Sequence, residues 1–175
     1  MIQTVVIAVV ALIAILLVYA ALKPDTFRVE RSTTIRAAPE KIFPLVNDLH
    51  QWERWSPWEK VDPAIQRAYS GAEGGVGAVY EWNGNKRIGQ GRMEIVESQP
   101  STKVVLKIDF IQPMEGHNKI DFVITQRGDV STLSHAMYGP SPYISRLMTI
   151  FFSMDKMIGS KFEEGLASLK AIVEK

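Results

Sequence analysis

Residues 2–22, IQTVVIAVVALIAILLVYAAL, carry no charged side chain, and only Gln3 and Thr4 are strongly polar. Few structures suit such a run. In lipid every backbone N–H and C=O must find its partner inside the segment, which a helix provides. At 1.5 Å per residue, its 21 residues reach roughly 31 Å, the thickness of a ~30 Å hydrocarbon core. A cleaved signal peptide is the competing reading. It calls for a positive start, a shorter apolar run and a small-residue cleavage site. Here no Lys or Arg precedes the run, the run is long, and Val18-Tyr19-Ala20 is a weak cleavage motif. The sequence therefore predicts a single-pass membrane anchor at residues 1–23 and a folded domain at 24–175. Lys23, Arg28, Arg31, Arg36 and Lys41 all follow the span, which favours a cytoplasmic domain by the positive-inside rule.

Composition narrows what the domain can do. Twenty Lys and Arg balance nineteen Asp and Glu, for a net charge of +1, so no basic surplus points to nucleic acid. Cysteine is absent, which excludes disulfides, thiolate catalysis and Cys-based zinc sites. His50, His117 and His135 are scattered, without metal-ligand spacing. No phosphate-binding loop is present either. GAEGGVGAV (71–79) is glycine-dense, but it leads into a strand and does not open a helix. No metal and no cofactor is expected.

The domain reads as a strand, two short helices, six strands and a long helix. TFRVERSTTI (26–35) alternates Phe27, Val29 and Arg31 against Arg28, Glu30 and Ser32. Pro39 suits a first helical position and Ile42, Leu45, Val46 and Leu49 recur at helical spacing, predicting a helix near 39–47 and a further turn through Leu49–Trp52. Strands are expected at 65–71, 74–85, 86–98 (with a glycine-marked bulge or bend), 102–112, 118–126 and 131–139. From about 143 to 174, Leu147, Phe151, Met154, Ile158, Phe162, Leu166, Leu169 and Val173 form a stripe at steps of three and four. That stripe can cover the apolar face of an antiparallel sheet, giving an α+β domain.

The stretch FRVERSTTIRAAPEKIFPLVNDLHQWERWSPWEKVDP (27–63) resembles the opening of the polyketide cyclase/dehydrase-type branch of the START-like, or SRPBCC, superfamily. The matching residues are Ile35, Ala37, Pro39, Glu40, Ile42 and Phe43, then Asp48, Trp52, Trp55, Ser56, Pro57 and Trp58. YEWNGN (80–85), GQGRMEI (89–95) and MDKMIGSKFEEGLASLK (154–170) are similar to that branch as well. The resemblance implies a helix-grip fold, a curved antiparallel sheet of about seven strands around a long C-terminal helix, with a cavity between them. One position departs from the pattern: the last strand usually carries an inward tryptophan where this chain has His135.

Two groups of residues are candidates for a ligand site. Trp55 and Trp58 belong to HQWERWSPWEK (50–60). They either fill the junction between the short helices and the second strand, wall a cavity mouth, or meet a membrane. Tyr80, Trp82, Phe110, Phe122, His135 and Met137 lie on strand faces assigned to the concave side. They either close a solid core or line a mostly apolar pocket with a few polar groups. Phe151 and Met154 stand in the apolar start of the last helix, which is either deeply buried, packed near a bilayer, or free to adapt its flexible side chains to varied ligands. Arg92 and Glu94 share a strand face, as a polar site or a solvated pair.

The leading expectation is a membrane-anchored domain that binds a hydrophobic small molecule, lipid or quinone-like, in a cavity between the sheet and the C-terminal helix, with the membrane met through residues 2–22, no nucleic acid, and no assigned protein partner. A cyclase or dehydratase is the second, using His135 and Tyr80 as acid/base groups, although a lone inward histidine is more often a hydrogen-bonded core residue and the sequence shows too small a polar set to lean toward an enzyme. An interaction module of the chaperone-activator type is the third.

Overall fold

The computed structural model describes all residues from 1 to 175. Helix α1 (Ile2–Leu22) is a single uninterrupted helix. Only one of its side chains, Ala20, is buried by the rest of the protein. It is the one helix long and apolar enough to cross a membrane, by length and composition.

The sheet has seven strands, all antiparallel: β1 (Thr26–Ile35), β2 (Gln66–Gly71), β3 (Ala78–Asn83), β4 (Gln90–Gln99), β5 (Lys103–Gln112), β6 (Gly116–Arg127) and β7 (Val130–Pro140). Their spatial order is β1-β7-β6-β5-β4-β3-β2, a run of neighbouring hairpins with the first strand brought round to pair with the last. The pairing slips in β4 between Gln90 and Gly91, at the expected glycine-marked position, and again between Ile95 and Glu97, where no glycine stands, and both bulges bend the sheet. The third strand begins later than its alternation implies. Gly75 and Gly77 hold φ values of 73° and 88°, a left-handed backbone that closes a turn before Ala78 and cannot continue a strand.

Helix α2 (Pro39–Asn47) starts on Pro39, as expected, and tolerates Pro44. A 3-10 turn (Leu49–Gln51), the single-turn helix α3 (Trp52–Trp55) and a second 3-10 turn (Pro57–Lys60) then lead to β2. The predicted long C-terminal helix is two helices, α4 (Tyr143–Met148) and α5 (Met154–Val173). The stripe runs across the break without a gap, but Thr149-Ile150-Phe151-Phe152 is a run of weak helix formers. Ser153 then accepts a hydrogen bond from the Lys156 amide at 3.2 Å and starts α5 afresh.

Helix α5 lies against β1, α2 and α3. Phe162, Leu166 and Leu169 are buried in a core of 26 residues that also takes Ile35, Ile42, Leu106, Phe122 and Leu133. Each such side chain contributes about 1.5–3 kcal/mol on leaving water. Gly165 permits close approach: a Cβ there would stand 3.1 Å from Pro57 and 3.4 Å from the Trp55 ring. On the outer rim, Arg31 of β1 reaches Asp155 at 2.9 Å and Glu163 at 2.6 Å, tying the helix to the sheet edge.

Candidate functional site

The ten sequence-predicted ligand-site residues fall in three separate places. The first is an inner stack beneath α5. Trp52 and Trp55 each direct their indole N–H at the end of α2, to the Val46 carbonyl at 3.3 Å and the Leu45 carbonyl at 2.8 Å. These are among the last four carbonyls, which a helix leaves without an internal donor. Two of the three clustered tryptophans are thus structural: they terminate α2 and pack edge-on against Phe122, with centroids 5.7 and 5.9 Å away. Phe122 stacks on His135 at 4.3 Å, and His135 on Phe162 of α5 at 3.7 Å. Met137 is buried two residues along β7.

His135 is buried, and neither ring nitrogen has a hydrogen-bond partner. Burial in this apolar sandwich pushes its pKa down to about 3, so the ring is neutral at physiological pH. It serves as an aromatic plate between two phenyl rings. A general base needs hydrogen-bond reach to the proton it takes, and Tyr80, its proposed partner, is committed elsewhere.

Tyr80 belongs to the second place, a row of rings on the β2–β3 end of the sheet. His50 stacks on Tyr69 at 4.1 Å, Tyr69 on Tyr80 at 5.1 Å, Tyr80 on Trp82 at 5.9 Å, and Trp82 meets Phe110 edge-on at 6.0 Å. Cross-strand pairing of Tyr69 with Tyr80 sets this row. Gly91 makes room for it, since a Cβ there would collide with the Trp82 ring. Glu59, from the turn after Trp58, is nearly enclosed at 7% side-chain exposure and accepts from Arg67 and from the Tyr80 hydroxyl, both at 2.7 Å. Burial, and next the Glu59 carboxylate, push the Tyr80 phenol far up. Bonding to Glu59 raises Arg67. This is a closed, charge-compensated cluster. Glu59, Arg67 and Tyr69 were not among the predicted residues. Arg67 and Tyr69 do alternate on β2, but only the tertiary register carries Glu59 to them. Trp58 stays at the rim, 38% exposed. Arg92 and Glu94 form a half-exposed pair at 2.9 Å.

Phe151 and Met154 lie in the third place, where α1, the start of β1 and the break between α4 and α5 meet. A pocket of about 460 Å³ opens there. Phe27, Ile150, Phe151, Phe152 and Met154 supply its apolar lining, and Lys23 and Arg146 are the only ionisable residues on its wall. Lys23 donates to the Thr149 hydroxyl at 3.0 Å. One Arg146 nitrogen donates to the carbonyls of Ala21 and Lys23, at 3.2 and 3.0 Å, while its buried Nε has no partner. The structure contains no cluster of His, Asp or Glu arranged to hold a metal ion.

A seven-stranded antiparallel sheet gripping a C-terminal helix, behind two short helices, defines a START-like helix-grip domain. The chain belongs to the family described as polyketide cyclase / dehydrase and lipid transport, whose model matches residues 26–174. Solved structures share the fold at low identity. Protein CV1439 from Chromobacterium violaceum superposes with a TM-score of 0.59 at 16% identity, over 87% of this chain and 99% of that one. The Aha1 dimer from Colwellia psychrerythraea gives 0.57 at 17% identity, over 85% and 96%. The di-domain ARO/CYC StfQ from the steffimycin biosynthetic pathway gives 0.61 at 10% identity, over 85% of this chain and 51% of that one. No curated protein matches the sequence.

Proposed function

We propose that this protein is a single-pass, membrane-anchored START-like domain that binds a hydrophobic or amphiphilic small molecule, lipid or quinone-like, drawn from the bilayer. The observation that carries the reading is the position of the pocket. Its volume of about 460 Å³ lies in the range of small-molecule sites, and its wall includes Lys23 and Pro24, the residues that directly follow α1. If α1 spans a membrane, the pocket sits at the lipid–water boundary, where apolar ligands partition. Five apolar residues with two cations suit an amphiphile with an acidic or strongly polar head. The positive charges that follow the span, Lys23, Arg28, Arg31, Arg36 and Lys41, support a cytoplasmic face.

The test uses the full chain, purified in a mild detergent and examined by native mass spectrometry, followed by uptake of a fluorescent fatty acid. The reading predicts co-purified lipid-sized mass and saturable uptake. It also predicts that Met154→Trp, which fills the pocket, weakens uptake while the Trp82 row and the inner stack stay intact. A protein that carries nothing and takes up no probe would sink the reading.

A further inference from the structure

The segment from α4 through the break before α5 leaves a patch of large apolar side chains in the open. Ile144 is 57% exposed, Met148 43%, Phe151 67% and Phe152 61%. Four bulky apolar residues within nine positions make a patch that water-soluble surfaces rarely carry without a partner. From Tyr143 to Met154 the chain has no acidic residue and one cation, Arg146.

Hydrogen bonds fix where this patch stands relative to α1. The Tyr143 hydroxyl donates to the Leu17 carbonyl at 2.9 Å. Leu17 precedes Leu22, the last residue of α1, by five positions, or about 7.5 Å along a helix axis. Arg146 binds the carbonyls of Ala21 and Lys23 at the end of α1, and Lys23 binds Thr149. Helix α4 is therefore strapped alongside the last turns of the apolar helix. If α1 spans a bilayer, α4 lies at the depth where amphipathic segments settle, some 5–10 Å into the boundary between headgroups and acyl chains. Tyr143 and Arg146 then have the chemistry of that layer, an amphipathic ring and a cation beside it at 5.6 Å.

We propose that residues 143–152 form a second membrane contact, a short wedge that seats Ile144, Met148, Phe151 and Phe152 in the outer part of the leaflet and holds the pocket mouth against lipid. The occupant is the bilayer, because the strap to α1 offers the patch to lipid wherever α1 is inserted. The proposal rests on the anchor reading given above. It adds a fixed orientation for the domain, which a simple tether would leave free to tumble.

The absence of native cysteine allows a direct test. Single-cysteine variants Met148→Cys, Phe151→Cys and Phe152→Cys in the full chain are labelled with a nitrobenzoxadiazole dye and reconstituted in vesicles of 3:1 phosphatidylcholine and phosphatidylglycerol. Ile7→Cys reports the anchor, and Val123→Cys, exposed on β6 and level through β7 with Ser32, six residues along β1 from its Thr26 end, reports the sheet away from α1. All five positions are exposed, and the tryptophan emission of each variant checks the fold. Shallow lipid-borne nitroxides should quench the labels at 148, 151 and 152 at least about threefold more than the label at 123, and iodide should quench them less, as expected for groups at the acyl boundary. If Ile7 is lipid-quenched but 148, 151 and 152 behave like 123, the anchor stands and the wedge is overturned. Labels shielded from both quenchers would show a protein surface covering the patch, a second copy included, and would also overturn it. An Ile7 label open to iodide would overturn the anchor reading and the wedge together.

Discussion

Replacing His135 with Phe should remove an acid sensitivity built into the core. His135 is enclosed between Phe122 and Phe162 with both nitrogens unpaired, and burial lowers its pKa to about 3 from an ordinary 6.5. As pH falls through 6.5, the unfolded chain takes up a proton at this residue and the folded chain does not until about pH 3. Stability therefore is full above pH 6.5, declines by up to about 1.4 kcal/mol per pH unit below it, and levels off near pH 3. From 6.5 to about 3 the loss amounts to roughly 5 kcal/mol, and about 2 kcal/mol of it is reached by pH 5. Phe keeps the ring stack, has no nitrogen to leave unpaired, and cannot titrate. The assay is urea unfolding of the full chain in detergent at pH 7.5 and pH 5.0, followed by tryptophan emission. All four tryptophans, at 52, 55, 58 and 82, lie outside α1, so the signal reports the domain alone. Subtracting the variant's pH dependence from that of the native chain cancels His117, which Asp109 and Glu115 raise and which stabilises the fold toward low pH. The difference should show the native chain losing about 2 kcal/mol more than His135→Phe between the two pH values. Any overpacking by the larger ring costs about 1–3 kcal/mol, but it shifts both pH values equally. Identical pH dependence in the two proteins would refute the claim that His135 is held neutral.

Three further changes test the packing. Gly165→Val places methyl groups against Pro57 and Trp55, 3.1 and 3.4 Å from the new Cβ, and should cost about 1–3 kcal/mol, read as a lowered Tm. Trp55→Ala opens a cavity beside Phe122 and leaves the Leu45 carbonyl without its donor, so a loss of about 3–5 kcal/mol is expected in urea unfolding. Tyr80→Phe deletes the hydroxyl that Glu59 accepts at 2.7 Å. A cost of about 1.5–3 kcal/mol, with the ring row and near-UV circular dichroism retained, marks that bond as structural.

Where a pattern is local, the sequence reports it well. Thr26–Ile35 and Pro39–Asn47 coincide with the expected strand and helix, because alternation in one and Pro39 with a four-step repeat in the other are decided within ten residues. The helix break at 149–153 is not legible in the sequence because the apolar stripe is continuous through it. At Phe162, Leu166 and Leu169 the stripe records the side that faces the core, but Phe151, also on it, is exposed, and the stripe is blind to the backbone's path between Leu147 and Met154. The candidate residues were largely placed on the correct strand faces, since Tyr80, Trp82, Phe122, His135 and Met137 are all buried. What alternation cannot supply is partition. It cannot show that Phe122 and His135 close a stack with Phe162, that Tyr80 is held by Glu59, or that Phe151 and Met154 open onto the end of α1. Those groupings depend on strand order and on contacts between residues well separated in the chain, 21 positions for Tyr80 and Glu59 and 126 for Lys23 and Thr149.

The proposed function turns on a ligand that passes from the membrane into the pocket at the end of α1. A photoactivatable fatty acid, irradiated with the full chain in vesicles and mapped by tryptic mass spectrometry, tests it most directly. The pocket reading predicts adducts on residues 147–156, the peptide LMTIFFSMDK, and on Phe27, assigned by fragment ions within peptide 1–28 because trypsin does not cut before Pro24, with both adducts competed away by excess unlabelled fatty acid, as mere contact with lipid would not be. Adducts confined to residues 2–22 would reveal a plain membrane tether with no ligand site beside it, and would contradict the account.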